Sequence, residues 1–349
     1  MHVLPPEASA APVRLDLKDK KILSVLAQDM RTPLSKIART VGLSRQSVEY
    51  RIQKMKEHRV IVGSRALINL NALGYQTYHF FLNTKTLNEE QEIIRRAKNF
   101  DTVNVIISYT GRWSLELSII ARSPEEFTSL AEALFAGLPV DIAGQIMLIR
   151  TIKSVVLPQS FLTVPAITTR ASRPITVTLD AIDMQLIELL SDDATRSVLT
   201  LAREVKLSTD AVLYRLKKLC SSQRIIEFRP IINYAALNLS IHTILLKASG
   251  STQDLHRLEL YLKESSAVLW AAKAFGDWNY IIFITTTRME EVHNFILAMK
   301  SEFLDMLRKY ETLYAYKEHK YSYYAKTIRR EFLSSKKYCH GISKVQQNV

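Results

Sequence analysis

Charged and amide side chains cluster at the start of one short amphipathic stretch, LSRQSVEYRIQKMKEHRVI (43–61). Ser44 is a good N-cap for a helix here, and Arg45, Gln46 and Glu49 then fall on its exposed side near the N-terminus. In the major groove of DNA, an arginine can hold a guanine and a glutamine an adenine through two hydrogen bonds each. The free N–H groups at the helix start, together with the hydroxyls of Ser44 and Ser47, suit a phosphate. The pattern therefore predicts a helix that binds DNA.

Cations continue along the same helix. Arg51, Lys54, Lys56 and Arg59 would attract phosphates without regard to base sequence. The alternative interpretation is a solvated cationic face, which is the usual meaning of such charge. Tyr50 also has two interpretations, packing in a small core or contact with a phosphate.

The stretch returns 164 residues later as LSTDAVLYRLKKLCSSQRI (207–225), with seven of nineteen positions identical. Thr209 and Asp210 stand where the first copy has Arg45 and Gln46, so the base-facing end loses a cation and gains an anion. We therefore expect the second copy to hold the DNA backbone and the first copy to read the base sequence. The residues predicted to contact DNA in the second copy are Ser208, Thr209, Arg215, Lys217 and Lys218.

The repeat extends over almost the whole chain. LDLKDKKILSVL (15–26) aligns with LDAIDMQLIELL (179–190), and YTGRWSLELSII (109–120) aligns with AFGDWNYIIFIT (274–285). The chain is thus two copies of one unit, joined by a segment rich in Pro, Ser and Thr that is typical of a linker. The predicted divisions are a disordered tail (1–14), helix-turn-helix 1 (15–67), ferredoxin-like domain 1 (68–157), the linker (158–178), helix-turn-helix 2 (179–231), ferredoxin-like domain 2 (232–324) and a basic tail (325–349).

Each copy begins with helical periodicity and continues with alternating strands and helices. Short helices around a turn at Gly42 indicate a helix-turn-helix, and residues 59–67 and 224–231 are expected to form hairpin wings. Lys206 replaces Gly42 in the second copy, so that turn loses the residue that most easily takes a positive φ. The order β-α-β-β-α-β that follows is the ferredoxin-like motif. The predicted fold class is α+β, with two copies of a winged helix-turn-helix followed by a ferredoxin-like βαββαβ domain.

Bulk properties narrow the choice of partner. The 349 residues carry a formal net charge of +13 and a pI near 9.6, which favours a polyanion such as double-stranded DNA. No apolar run approaches the length of about 18 residues that spans a bilayer, and the N-terminus lacks the apolar core of a signal peptide. With only Cys220 and Cys339, no disulfide framework is predicted. We expect a cytoplasmic protein without a membrane partner.

The order of these elements, found twice, resembles the Lrp/AsnC transcriptional regulators. The resemblance rests on LSxxxVxYRIxKM, an LGY-type lead-in to a strand and a hairpin with a G-x-W tip. It implies sequence-specific DNA binding, an amino-acid or other small-molecule effector near the hairpin tips, and sheets that pair in dimers. Here one chain would form a pseudo-dimer internally, with further homo-oligomers open.

The resemblance also implies where an effector would bind. The hairpin-tip residues in question are Gly111, Arg112, Trp113, Ser114, Gly276, Asp277, Trp278 and Asn279. An acid that commonly follows the glycine in the family is replaced by Ser114 and Asn279, although Asp277 offers a carboxylate two residues earlier. For Trp113 and Trp278, the alternative is plain hairpin packing.

No enzymatic signature stands out in the sequence. The nine glycines form no phosphate-binding loop, and the eight histidines show no paired metal-ligand spacing. We therefore expect no catalytic residues, no metal, no cofactor and no enzyme. One enzymatic alternative remains, because siroheme decarboxylases resemble this two-domain unit and are sometimes fused in tandem. On that alternative, His79 and His242 would face a tetrapyrrole, although a lone strand histidine is more often structural.

Overall fold

The computed structural model describes residues 12–138, 140–162 and 177–334. Most of the predicted N-terminal tail and linker, and the last fifteen residues of the predicted basic tail, lie outside the described residues. Within them, the predicted α+β class with two helix-turn-helix units is confirmed. None of the described helices is long and apolar enough to cross a membrane.

The first copy contains five helices and five strands among the described residues. The helices are α1 (Leu17–Gln28), α2 (Leu34–Val41), α3 (Arg45–Glu57), α4 (Leu87–Lys98) and α5 (Pro124–Phe135). The strands are β1 (Ile61–Ile68), β2 (Gln76–Asn83), β3 (Val103–Thr110), β4 (Leu115–Ala121) and β5 (Asp141–Ser154).

The second copy repeats this order. Its helices are α6 (Ala181–Asp192), α7 (Val198–Val205), α8 (Thr209–Ser221), α9 (Thr252–Glu264) and α10 (Met289–Phe303). Its strands are β6 (Ile225–Ile232), β7 (Ser240–Ala248), β8 (Val268–Gly276), β9 (Tyr280–Thr286) and β10 (Leu307–Tyr321). Residues 327–334 form one more helix.

The segment after each third helix differs from the predicted hairpin wing. Each copy supplies a single strand, and β1 pairs antiparallel with β6 across the two copies. The alternate residues Ala66 and Ile68 of β1 are buried in the core of the second helix-turn-helix unit, so this strand is completed by the other copy. Arg65 lies opposite Arg229, and the two are counterparts in the 164-residue repeat. The ribbon of β1 and β6 therefore has an approximate twofold axis between these two arginines.

The ferredoxin-like halves join edge to edge into one closed eight-stranded sheet. The strand order is β10-β3-β4-β2-β5-β8-β9-β7, and β10 pairs again with β7. β5 and β10, with 14 and 15 residues, are the long strands. Each of them pairs with its own copy and then crosses to the other, β5 with β8 and β10 with β3. Exchanging the copies leaves this order unchanged, so the closed sheet shares the approximate twofold symmetry of the ribbon.

The core divides between the interior of the closed sheet and its outer helices. Phe81, Trp113 and Trp278 fill the interior from both copies. The outer helices α4 and α5 pack on the first half, and α9 and α10 on the second. After β10, the segment with Tyr324 and Ile328 packs into the core of the second helix-turn-helix unit. The two helix-turn-helix units are therefore held on the rest of the molecule by packed cores in addition to the chain connections.

Gly276, at the hairpin tip between β8 and β9, lies close against the backbone of β5. Its φ is +134°, and a Cβ here would lie 2.4 Å from the carbonyl oxygen of Gln145. We expect Gly276→Ala to lower the free energy of unfolding by about 3 kcal/mol or more, from backbone strain and the clash together. Gly137→Ala is the control, because its φ of +71° is also positive but its Cβ would meet open space. Equal losses for the two variants in urea unfolding would contradict the close approach at Gly276.

Candidate nucleic-acid interface

Helix α3 is positioned by a short turn and a capped N-terminus. Gly42 takes the left-handed conformation with φ 64°, and the Ser44 hydroxyl accepts a hydrogen bond from the Ser47 N–H. Val48 and Met55 are the buried residues of α3. The predicted base-reading side chains lie on the exposed face, at positions 45, 46 and 49.

Helix α8 has the same geometry with different chemistry. Lys206 adopts the left-handed conformation of Gly42, with φ 55°, so the turn is kept at some conformational cost. The Ser208 hydroxyl caps α8 by accepting from the Ala211 N–H. Thr209 and Asp210 are exposed at its start, and Leu213, the counterpart of Glu49, is 50% exposed.

The arginines shared by the two helices are tied to carboxylates. The Arg51 guanidinium donates to Asp16 and Asp19 at 2.7 Å each, and Arg215 donates to Asp180 and Asp183 at 2.7 Å each. These aspartates form the capping boxes that begin α1 and α6. The shared arginines therefore join the third helix of each unit to its first, which is a structural reason for their presence in both copies.

The pKa values of the cap residues reflect this bonding. The Asp19 backbone N–H and the Arg51 side chain lower the pKa of Asp16 below its ordinary value. For Asp180, burial alone would raise the pKa, but the Asp183 backbone N–H and the Arg215 guanidinium lower it. Each aspartate therefore remains a charged partner of its arginine at neutral pH.

The lysines of the two helices differ in whether the protein already holds their ammonium groups. Lys218 donates to the buried carboxylate of Asp183 at 3.0 Å and to the Thr178 carbonyl at 2.9 Å. By contrast, Lys54 on α3 and Lys217 on α8 are exposed. Tyr50 is 67% exposed, so its packing in the small core, one of the two interpretations above, does not occur, and its counterpart Tyr214 is 72% exposed. They stand on the same surface as the predicted base-reading residues.

The eight hairpin-tip residues predicted to bind an effector lie where the two copies meet. Trp113 and Trp278 are buried and touch edge to face, with ring centroids 5.8 Å apart. Gly111 lies against Leu313 of β10, and the Asp277 carboxylate accepts from the Gln145 N–H of β5 at 2.8 Å.

The remaining polar tip residues are bonded as well. Arg112 donates to Glu311 at 2.5 Å, and the Ser114 hydroxyl accepts from the Thr84 N–H. The Asn279 side chain bonds the N–H and the carbonyl of Ala248. The tips hold the closed sheet together, and their polar side chains are engaged by the protein.

A buried polar cluster inside the closed sheet was not predicted from the sequence. The Glu116 carboxylate lies 2.6 Å from His79 Nδ1 and accepts from the Tyr109 hydroxyl at 2.5 Å. His79 and Glu116 line a cavity of about 350 Å³ between the ribbon and the sheet, which Arg229 also lines. His242 does not line it and instead contacts the Tyr314 ring. The charged Glu116 in the mainly apolar strand LELSIIA was a signal of this cluster in the sequence.

The described residues contain no group of three or more His, Cys, Asp or Glu side chains that could hold a metal ion. The positions of exposed, capped third helices in two related units define a helix-turn-helix protein of the DNA-binding class. The AsnC-type helix-turn-helix domain matches at residues 15–56 and 179–219.

Comparison of the sequence with known proteins gives the family. The chain is 30% identical over 117 residues to the regulatory protein AsnC of Haemophilus influenzae, covering 33% of this chain and 78% of that protein. It is 27% identical over 122 residues to the HTH-type transcriptional regulator FL11 of Pyrococcus abyssi, covering 35% of this chain and 81% of that protein. The chain belongs to the Lrp/AsnC family of transcriptional regulators.

The comparison of folds corrects one prediction. The crystal structure of the siroheme decarboxylase NirDL matches 91% of this chain and 97% of its own, with a TM-score of 0.62 and 14% identity. A second structure of NirDL, in complex with an iron-uroporphyrin III analogue, matches 90% of this chain and 97% of its own with a TM-score of 0.61 and 14% identity. The prediction that the chain is not an enzyme is therefore wrong as an exclusion, because an enzyme has this fold over nearly the whole chain.

The hydrogen bonds of Arg215 predict how its replacement would change the stability of the protein. We expect Arg215→Ala to lower the free energy of unfolding by about 1–3 kcal/mol, because it removes two hydrogen bonds to carboxylates. The pKa of Asp180 is lower in the folded protein than in the unfolded chain, where it is about 3.9. The stabilisation by Arg215 and Asp180 is therefore fully present at pH values above about 3.9. It is lost as the pH falls through the lower pKa of the folded protein.

Lys217→Ala, two residues further along the same helix and exposed, is the matched control. We expect it to leave stability unchanged and to reduce the salt dependence of DNA binding by about one unit. Thermal unfolding and DNA titrations at several salt concentrations measure both effects. An unchanged melting temperature for Arg215→Ala would contradict the structural role.

Proposed function

We propose that this chain is a sequence-specific, DNA-binding transcription regulator in which one molecule forms a pseudo-dimer. The observation that carries the proposal is the exposed face of α3, with Arg45 and Gln46 at its start, on the third helix of an AsnC-type domain. Family membership supports DNA as the partner. A cytoplasmic location accords with that partner.

The approximate twofold symmetry supports an intramolecular pair of DNA-reading helices. The axis between Arg65 and Arg229 relates β1 to β6, and each of these strands directly follows its third helix, α3 or α8. Dimeric helix-turn-helix proteins present two such helices to half-sites about one helical turn apart. The same presentation by one chain needs no second molecule, although further association into homo-oligomers is compatible with it.

The two helices would read different bases. Arg45 suits guanine and Gln46 suits adenine. In α8, the Asp210 carboxylate suits the amino group of cytosine, and the exposed Leu213 suits the methyl group of thymine. We expected the second copy mainly to anchor the backbone, but Arg215 and Lys218 are held by carboxylates. Pyrimidine reading is therefore the better proposal for α8.

A small-molecule effector is part of the regulator proposal. At the hairpin tips, an amino-acid effector would have to compete for groups that the protein already uses, such as Arg112 with Glu311 and Asp277 with Gln145. Arg112 is the more accessible of these, with a side chain 55% exposed. Binding there would thus act on the contact between the two copies.

Selection from random duplexes tests the DNA-reading proposal. We expect a non-palindromic site with two unlike half-sites. Arg45→Ala should remove a guanine preference in one half-site, a loss of about 1–3 kcal/mol. Asp210→Asn should replace cytosine by adenine in the other half-site, because an asparagine can hold adenine through two hydrogen bonds. A palindromic site, or two variants that change the same half-site, would contradict the division between α3 and α8.

A second candidate function is a reaction on a tetrapyrrole. The whole-chain likeness to NirDL and the position of His79 on a cavity wall favour it. A decarboxylation breaks a carbon–carbon bond, releases carbon dioxide and places a proton on the carbon, and a buried histidine is suited to hold that proton. Among the residues that line the cavity, Arg150 and Arg229 are the cations that would meet the carboxylates of the macrocycle.

Titration with siroheme separates the two candidates. If the second holds, siroheme shows a shifted absorption band that His79→Ala removes and His242→Ala keeps, because His242 lies away from the cavity. Loss of carbon dioxide from bound siroheme then tests the reaction itself. An unshifted spectrum at saturating siroheme would remove this candidate and leave DNA binding untouched.

A further inference from the structure

The cavity between the ribbon and the closed sheet has the composition of a ligand site. Its volume of about 350 Å³ lies in the range of small-molecule pockets. Apolar side chains such as Leu67, Val105, Trp270 and Phe283 make up most of its wall. Polar residues also line it, among them His79, Glu116 and Arg229. Polar groups on a mainly apolar wall can orient a ligand by hydrogen bonding.

One of those polar groups is unsatisfied. His79 is 5% exposed, and its Nε2 atom is buried without a hydrogen-bond partner among the described residues. A buried polar atom left unpaired costs free energy. Because His79 lines the cavity, a ligand there could supply the missing hydrogen-bond partner.

The neighbours of His79 determine what that partner must be. Burial and the adjacent Glu116 raise the pKa of Tyr109 well above its ordinary value, so the phenol keeps its proton and donates a hydrogen bond to the Glu116 carboxylate. Glu116 thereby accepts from Tyr109 and from His79 Nδ1, which places the imidazole proton on Nδ1. In the neutral ring, Nε2 then carries a lone pair and accepts a hydrogen bond.

The imidazole, the carboxylate and the phenol of this cluster all come from the first copy, and the second copy adds the Thr243 hydroxyl, 3.0 Å from that of Tyr109. At the repeat positions, Thr243 stands for His79, Ile281 for Glu116 and Ala274 for Tyr109. The packing of the closed sheet therefore does not need a carboxylate and an imidazole in its interior, because the second copy does without them. A buried carboxylate is costly, which makes a role in binding the better explanation for its presence in the first copy.

We propose that this cavity binds one small, mainly apolar ligand per chain, with an N–H or O–H group that donates to His79 Nε2. The ligand is of the class of flat heteroaromatic or phenolic molecules with a single donor.

The position of the cavity links this ligand to DNA binding. Its wall includes Leu67 and Ile68 of β1 and Ile226 and Arg229 of β6, together with strands of the closed sheet. β1 follows α3 and β6 follows α8, so the ribbon is the shared support of both recognition helices. A ligand between the ribbon and the sheet favours one spacing of the two helices over others. This link rests on the proposed DNA-binding function, whereas the ligand site itself does not.

Indole and 1-methylindole are the probes, since they differ in the N–H donor and little else. Calorimetric titration of the intact, DNA-free chain should show indole binding once per chain, about fivefold or more tightly than 1-methylindole. His79→Leu should bind both probes equally, and Leu67→Trp, which fills the cavity, should bind neither. His242→Leu is the matched control, because this buried strand histidine does not line the cavity, and it should keep the preference for indole.

DNA titrations with saturating indole then test the link to the ribbon. We expect at least a twofold change in DNA affinity for the wild-type chain and none for Leu67→Trp. Absence of indole binding, or equal binding of the two probes by the wild-type chain, overturns the ligand site. Indole binding with unchanged DNA affinity overturns the link, and failure to bind any DNA overturns the proposed function alone. A site that takes siroheme and excludes indole overturns the proposed ligand class.

Discussion

The antiparallel pairing of β1 with β6 is the contact on which the rest of the molecule depends. Each strand lies between the third helix and the ferredoxin-like domain of its own copy, and among the described residues its pairing partner is the strand of the other copy. Two isolated copies would each leave this strand unpaired. Arg65 and Arg229, like charges placed opposite each other at the centre, work against the pairing, as expected for facing cations. Arg229 is stabilised there by Glu227 and by the Ser154 hydroxyl and carbonyl.

The two copies share one scaffold but differ at particular positions. The copies share their strand order, caps and third-helix arginines, which are the features that a pseudo-dimer needs. They differ where ligands would be met, at the exposed starts of α3 and α8 and at the polar cluster around Glu116. A dimer of identical subunits would carry each of these sites twice, whereas two copies in one chain can carry each site once. Divergence at these positions is therefore compatible with an unchanged scaffold.

The sequence predicted the elements well because their signals are local. Capping residues such as Ser44 and Asp180, and the alternation of strand and helix, act within a few residues along the chain. The pairing of β1 with β6 and the roles of Arg51 and Arg215 were not predictable in that way. Arg51 reads as a free cation on a helix face until Asp16, 35 residues away, is brought to it by the packing of α1 against α3. His79 likewise reads as a lone strand histidine, and its partner Glu116 arrives only through the register of β2 with β4.

The covalent union of the two copies bears on how the protein behaves at low abundance. A pair of separate subunits comes apart on dilution, and its affinity for a two-part site then falls with the concentration of dimer. Here the partner is always present at the effective concentration set by the connecting chain. The proposed DNA-reading pair would therefore survive at a few molecules per cell. Because neither half can be exchanged for a half from another molecule once the sheet is closed, its two unlike ends stay matched for the lifetime of the chain.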